Sequence, residues 1–331
     1  MRLPLACALA LVVGAVVPRV EAAPEEASQW LERMTEALAS RNYDGLFTHS
    51  TGRQSETMRI VHCVVDGRSI ERLVSLDGSG REIVRTPEEV HFYMPDRRVV
   101  LVEPRSDDGS LIKALPVPGP QLEALYELGL RKGHKLLGRE VRVVDIRPRD
   151  AYRYGYRLWL AEDTAMPLRS VVTDPDGRPV ELIHFTRLDM VERIDPRELE
   201  PAVDATGFQW VRQGRRAEPR VSVSGWRPQK MPPGFRLVAS RLQVVPGVPM
   251  PVQHLIFSDG FASVSVFIEP GPAKGPAPPE STSVGSSNAY STQVRGHVVT
   301  AIGEVPAATV REIASSIAPV EEAPAPSDAA R

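Results

Sequence analysis

Histidines are the first residues to ask about chemistry, and this chain has seven. His49, His62, His91, His134, His184, His254 and His297 form no HxH, HxxxH or HExxH set, so no two are spaced to grip one metal ion. His49 stands beside Ser50 in "FTHSTG", but neighbours on a strand point to opposite faces and make no catalytic pair. There is no GxSxG elbow and no GxxxxGK[ST] loop. Gly78-Ser79-Gly80 falls between two strand patterns, where a turn accounts for it. Carboxylate pairs are plentiful, yet none is bracketed by the apolar residues that would raise a general acid's pKa. Cys63, inside the alternating run "MRIVHCVV", reads as a buried, inert thiol, with an intermolecular disulfide left open. Spacing therefore assigns no catalytic residue, no metal ligand and no cofactor. The chain reads as a non-enzyme.

What remains is surface for binding. "YRYGYRLWL" sets Tyr152, Tyr154, Tyr156, Leu158 and Leu160 on one face, against Arg153, Gly155, Arg157 and Trp159 on the other. Core packing explains any one of these positions. Together with Met58 and Ile60, the residues Tyr156, Leu158 and Leu160 are also candidates to line a concave apolar pocket for an acyl chain or an apolar peptide. The densest basic stretch, "RQGRRAEPR" (212–220), is either a solvated connection or a strip that docks an anionic partner through Arg215 and Arg216. "RKGHK" (131–135) follows a helical pattern and would complement the helix C-terminus, so no nucleic-acid patch is expected.

The elements that position these residues are mostly strands. After an N-terminal Arg2, an apolar run to Val17 and the small-residue pair Val20 and Ala22, residues 1–22 read as a signal peptide cleaved after Ala22. The apolar run is too short to span a bilayer comfortably. Removing Arg2, Arg19 and Glu21 with the signal peptide takes the formal net charge from −2 to −3 and leaves Cys63 as the one cysteine. Pro24–Ser40 is expected as a helix, with Trp30, Leu31, Met34 and Leu38 on one stripe. Alternating runs then follow one another to about Asp189, interrupted by "LPVPGP" and by a second helix expected over Gln121–Leu130. Residues 193–220 read as a connection rich in Pro and charge, with "GFQWVRQGRR" in its middle.

A second set of strands occupies 221–318, closed by the helix "PAATVREIASSI", which buries Val310, Ile313 and Ile317. Its best-specified element is "HLIFSDGFASVSVFIEP", a hairpin turning at Ser258-Asp259-Gly260. One face of the second arm carries Ala262, Val264, Val266 and Ile268, suited to the core. The other carries Phe261 and Phe267 between serines, and is either a partner-binding surface or covered by the final helix. "GPAKGPAPPESTSVGSS" reads as a flexible insert and 319–331 as a disordered tail. The fold class is α+β and mainly β, with a strongly curved sheet or open barrel over helices followed by a smaller antiparallel sheet domain.

The runs "NYDGLFTHSTG", "MRIVH", "ERLVSLDGSGREIVR" and "RYGYRLWLAEDTAMPLRS", then "MPPGFRL", "QHLIFSDGFASVSVFIEP" and "GHVVTAIGEVPAATVREIASSI", resemble the MucB/RseB family of periplasmic regulators of the envelope-stress sigma factor. The resemblance spans nearly the whole mature chain. It implies that residues 24–192 form a half-open antiparallel barrel like the lipoprotein carriers LolA and LolB, and that 221–318 bind an anti-sigma factor. The implied function is to bind the periplasmic region of a RseA/MucA-type anti-sigma factor and shield it from its first protease. Release on sensing lipid or lipopolysaccharide would then free the sigma factor. The alternative is a periplasmic lipid or lipoprotein carrier, which would not need the second domain. Self-association as a homo-oligomer is left open.

Overall fold

The structure, a computed structural model, describes residues 24–105, 119–213, 225–243, 250–270 and 278–320. The expected signal peptide, the "LPVPGP" break up to Pro118, the candidates Arg215 and Arg216, and the tail beyond Val320 lie outside the described residues.

Helix α1 (Pro24–Ser40) runs as expected. Ala27, Leu31, Met34 and Ala37 recur at three- and four-residue intervals and are all buried. Six strands follow as a meander: β1 (Tyr43–Thr51), β2 (Gln54–Val65), β3 (Arg68–Ser75), β4 (Glu82–Arg85), β5 (Glu89–Met94) and β6 (Val99–Pro104). After α2 (Pro120–Leu125) a second meander comprises β7 (Tyr126–Lys132), β8 (Val141–Pro148), β9 (Gly155–Ala161), β10 (Pro167–Thr173) and β11 (Pro179–Met190). β11 returns to β1, pairing Tyr43 with Met190 through Thr51 with Glu181, and so fuses the two meanders. With β12 (Gln209–Arg212) the result is a 12-stranded sheet ordered β12-β6-β5-β4-β3-β2-β1-β11-β10-β9-β8-β7, whose end strands do not meet. The half-open form expected from the alternating runs is what folds.

In the first domain, two boundaries differ from expectation. The second helix stops at Leu125 rather than Leu130, because the chain from Tyr126 pairs with β8 and buries Tyr126, Leu128 and Leu130 on one face with Leu31, Met34 and Leu122, so a period of two prevails over 3.6. "RKGHK" therefore ends a strand and caps no helix, and Arg131 pairs with Asp145 at 3.1 Å. The chain after β11 also stays on the first sheet. Val203, Ala205 and Phe208 pack over Val84, Tyr93, Val100 and Val102 on its outer face, and β12 adds beside β6 in parallel. That cover explains a buried ion pair, Arg72–Glu82 at 2.8 Å. The backbone N–H of Ala202 donates to Glu82 and the carbonyl of Glu198 accepts from Arg72, both from the covering segment.

The second sheet is ordered β14-β15-β16-β19-β18-β17, from β14 (Arg236–Gln243), β15 (Val252–Ser258), β16 (Ser263–Pro270), β17 (Glu280–Val284), β18 (Ser287–Val294) and β19 (His297–Gly303). Short strands β13 (Trp226–Pro228) and β20 (Ile317–Pro319) pair beside it. Helix α3 (Ala307–Ser316) lays Val310, Ile313 and Ala314 on Leu255, Phe257, Val264 and Val266. The insert read as flexible ends earlier than expected: Glu280–Val284 forms an edge strand, because Gly285, at φ +61°, allows a two-residue turn into β18.

Candidate partner site at the domain seam

The hairpin β15–β16 turns later than the expected Ser258-Asp259-Gly260, since Ser258 is the last residue of β15. Four residues, Asp259 to Ala262, make its tip, with Gly260 at φ +93°. Asp259 builds that tip by accepting the N–H groups of Phe261 at 2.9 Å and Ala262 at 2.8 Å on one carboxylate oxygen. Its second oxygen takes Nε of Arg153 at 2.7 Å, and both side chains are wholly excluded from solvent. Arg153 is the hub of the junction. It donates also to the Asp150 carboxylate and to the Pro233 carbonyl, and its guanidinium lies 5.4 Å from the Phe235 ring centre. Gln121, at the start of α2, donates to the Asp259 carbonyl.

Sequence alternation put Arg153 on an outward strand face. The structure corrects this: β9 begins only at Gly155, and residues 150–154 form a turn held by Asp150 accepting the Tyr152 N–H at 2.9 Å. The available signals were Asp150 as a turn former and Gly155, which marks where the alternation starts. Nothing in the sequence linked Arg153 to Asp259 106 residues on.

Two more contacts seal the seam. The Tyr154 hydroxyl lies 2.8 Å from the Ser286 carbonyl and 3.1 Å from that of Val305, and accepts from the Asn288 amide at 2.9 Å. Burial pushes its pKa up to about 12, so it stays a donor. Thr309, in the first turn of α3, donates to the Tyr152 carbonyl at 2.8 Å. Next to them, His49 bonds Glu181 at 3.0 Å. Its pKa is raised, chiefly by that bond and further by the charges of Glu181, Glu56 and Glu304, against an opposing effect of burial.

The two phenylalanines part company. Phe261 sits in the tip, leaves its own domain and meets Tyr126 edge-on at 5.8 Å, within the cluster of α1, α2 and β7–β9. Phe267 sits in β16 and stacks on His254 at 4.3 Å. Neither is covered by α3, whose sheet contacts are Val264, Val266 and their neighbours. Cross-strand register puts Phe267 on the sheet's outer face with Ser265, Ile256, Thr300 and Ile302, the last 41% exposed.

The pocket candidates divide between two adjoining clusters. Met58 and Ile60 belong with Tyr43, Phe47, Leu73 and Phe185, whereas Tyr156, Leu158 and Leu160 belong with Leu31, Met34, Leu128 and Ile146. Trp30 and Leu38 of α1 touch both. Ile60, Leu158 and Leu160 have no exposed surface, while Met58 and Tyr156 are half-buried. A separate cleft of about 180 Å³ between α1 and the β9–β10 turn is polar, lined by Arg33, Glu36, Arg41 and Asp163 among others. Among the described residues, no group of three His, Cys, Asp or Glu is placed to hold a metal, and no helix is long and apolar enough to cross a membrane.

Comparison with known proteins matches residues 26–203 to the MucB/RseB N-terminal domain and residues 220–318 to the MucB/RseB C-terminal domain. The sigma factor AlgU regulatory protein MucB of Pseudomonas aeruginosa is 33% identical over 320 residues, 94% of this chain and 96% of that protein. The sigma-E factor regulatory protein RseB of Escherichia coli is 26% identical over 322 residues, 94% of this chain and 96% of its own. Among solved structures, the Pseudomonas aeruginosa MucA/MucB complex superposes with a TM-score of 0.72 at 30% identity, over 90% of this chain and all of that one. A crystal structure of MucB with MucA(peri) gives 0.71 at 31% identity, over 89% of this chain and all of that one.

Proposed function

The chain belongs to the MucB/RseB family, and from that membership we propose that it is a periplasmic binding protein for the periplasmic region of a MucA/RseA-type anti-sigma factor. Bound there, it shields the anti-sigma factor from proteolysis and keeps an envelope-stress sigma factor off. It acts by occupying a surface and catalyses nothing. The observation that carries this reading is that both domains of the chain, not the first alone, superpose on MucB taken from its complex with MucA.

Release on sensing lipid or lipopolysaccharide belongs to the same proposal. The inner face where an acyl chain would lodge is closed by α1 over Leu158 and Leu160, so entry requires α1 to lift.

The test is calorimetry of the mature chain with the periplasmic segment of its cognate anti-sigma factor, followed by timed digestion of that segment with the first protease of the cascade. The expected result is saturable one-site binding and slower cleavage in the complex. No binding at tens of micromolar, or equal cleavage with and without the chain, overturns the proposal.

A further inference from the structure

The edge strand β12 is the least protected part of the first sheet. All four of its residues are exposed, and Trp210 and Val211 remain 48% and 39% accessible. Its ladder to β6 uses alternate residues: the N–H groups of Gln209 and Gln213 donate to the carbonyls of Arg98 and Val102, both at 2.8 Å. By the period of two, the N–H and C=O groups of Trp210 and Arg212 point away from the sheet. Among the described residues no strand pairs with that side, and an open strand edge is the feature other chains pair with most readily.

The side chains around this edge are those that dominate protein interfaces. Trp210 meets His91 and Tyr93 edge-on at 6.0 and 6.3 Å, which fixes its ring while half of it stays in solvent. Arg212 projects on the same face, 2.7 Å from Glu89. Val211, on the opposite face, continues the row Ile83, Phe92 and Leu101. Tryptophan, tyrosine and arginine are enriched where binding energy concentrates.

Charge selects the occupant. Arg97, 74% exposed at its side chain and 4.0 Å from Asp96, precedes the strand β6 that β12 follows, and Arg97, Arg98 and Arg212 outnumber Asp96 and Glu89 along this edge. The sequence beyond Gln213, outside the described residues, is also basic, with Arg215, Arg216 and Arg220 against Glu218. An acidic extended segment is attracted here. A second copy is not, because antiparallel pairing of two β12 strands would bring each Arg212 to the end where Arg97 and Arg98 stand.

We infer that the outer edge of β12 captures an extended acidic segment of the anti-sigma partner by strand addition, with Trp210 as its anchor. The inference rests on the function proposed above and names the surface that performs it.

Three single variants of the full mature chain separate backbone from side chain. Arg212→Ala removes the charge. Arg212→Pro removes the charge together with an N–H that the ladder to β6 does not use, so the fold is kept. Trp210→Ala removes the anchor. Against the anti-sigma periplasmic segment, Trp210→Ala is expected to weaken binding about 10- to 100-fold, the usual range for a tryptophan hot spot. Arg212→Pro is expected to weaken it at least several-fold more than Arg212→Ala, with melting temperatures near wild type. A photo-crosslinker at position 210 should join the chain to the partner segment. Wild type that binds while all three variants bind within about threefold of it overturns the β12 assignment and leaves the proposed function standing. Crosslinks from position 210 to a second copy of the chain overturn it too, in favour of a dimer edge. Wild type that fails to bind the segment at all removes both.

Discussion

The Arg153–Asp259 pair should behave as a lock between the domains. Asp259→Asn keeps an acceptor for the N–H groups of Phe261 and Ala262 but removes the charge that faces Arg153. Arg153 is then left fully buried with only Asp150 as a counter-ion, and Asp150 is partly open to solvent. Removing one partner of a buried pair costs about 3–5 kcal/mol, because the surviving charge has lost both water and its ion. Arg153→Met should cost a similar amount, since it strands the Asp259 carboxylate and frees the Pro233 carbonyl. The double variant buries neither charge, so its cost should fall short of the summed singles by about 2 kcal/mol or more. The assay is urea unfolding of all four proteins, followed by tryptophan fluorescence and by circular dichroism. Because the pair joins two domains, the single variants should also split one transition into two, with coincidence of the probes lost. Singles that each cost under about 1 kcal/mol, or a double variant additive within about 0.5 kcal/mol, would refute the reasoning.

The raised pKa of His49 makes the first sheet, where it joins β1 to Glu181 of β11, respond to pH. The stabilisation is complete below the ordinary histidine value of 6.5 and is lost as pH rises through the folded-state value above it, so stability should decline over neutral to mildly alkaline pH and His49→Gln should flatten that slope. Phe261→Ala should destabilise by about 3–5 kcal/mol through the first domain's cluster. Phe267→Ala should leave melting nearly unchanged, and a loss of anti-sigma affinity there would mark the outer face of the second sheet as part of the contact. Leu158→Ala should cost about 2–5 kcal/mol, and amide exchange in α1 should quicken when an acyl probe binds; unchanged α1 protection in the bound state would place the lipid elsewhere. Burial raises the Cys63 thiol, so a disulfide-exchange reagent should titrate it only after unfolding.

Local pattern carried most of the fold. Period-two alternation located β1 to β6 and β8 to β11, and the 3.6 period located α1 and α3, because each of these elements buries one face against a single layer. It failed where tertiary pairing outweighed local preference. Leu122, Leu125 and Tyr126 fit a helical stripe, yet Tyr126 is claimed by β8. Residues 209–212 looked like connection because a four-residue edge strand with no buried face has no period to display. The seam was the least legible part. Arg153 reads as surface by type, and only its distant partner at the hairpin tip makes its burial tolerable. Phe261 read as the start of β16, but the Asp259 carboxylate accepts the backbone amides of Phe261 and Ala262, folds them into the tip and turns the ring towards Tyr126.

The specification of that hairpin is explained by what it plugs. Its tip closes the base of β9, the strand whose Leu158 and Leu160 lie under α1. A contiguous chain of contacts therefore runs from α1 through Leu158 and Tyr156 to the turn at Arg153, and from there through Asp259 into β15 and β16. Phe261 adds a second strand to it, since it packs within the same cluster as α1 and β9 while belonging to the second domain. On the proposed release mechanism, a ligand that lifts α1 withdraws packing from the side chains that brace the Arg153 turn. The buried ion pair tolerates little displacement, because its attraction compensates desolvation only at close range. On that mechanism the inner face and the seam act together, and the seam is where lipid entry would first be felt by the second domain.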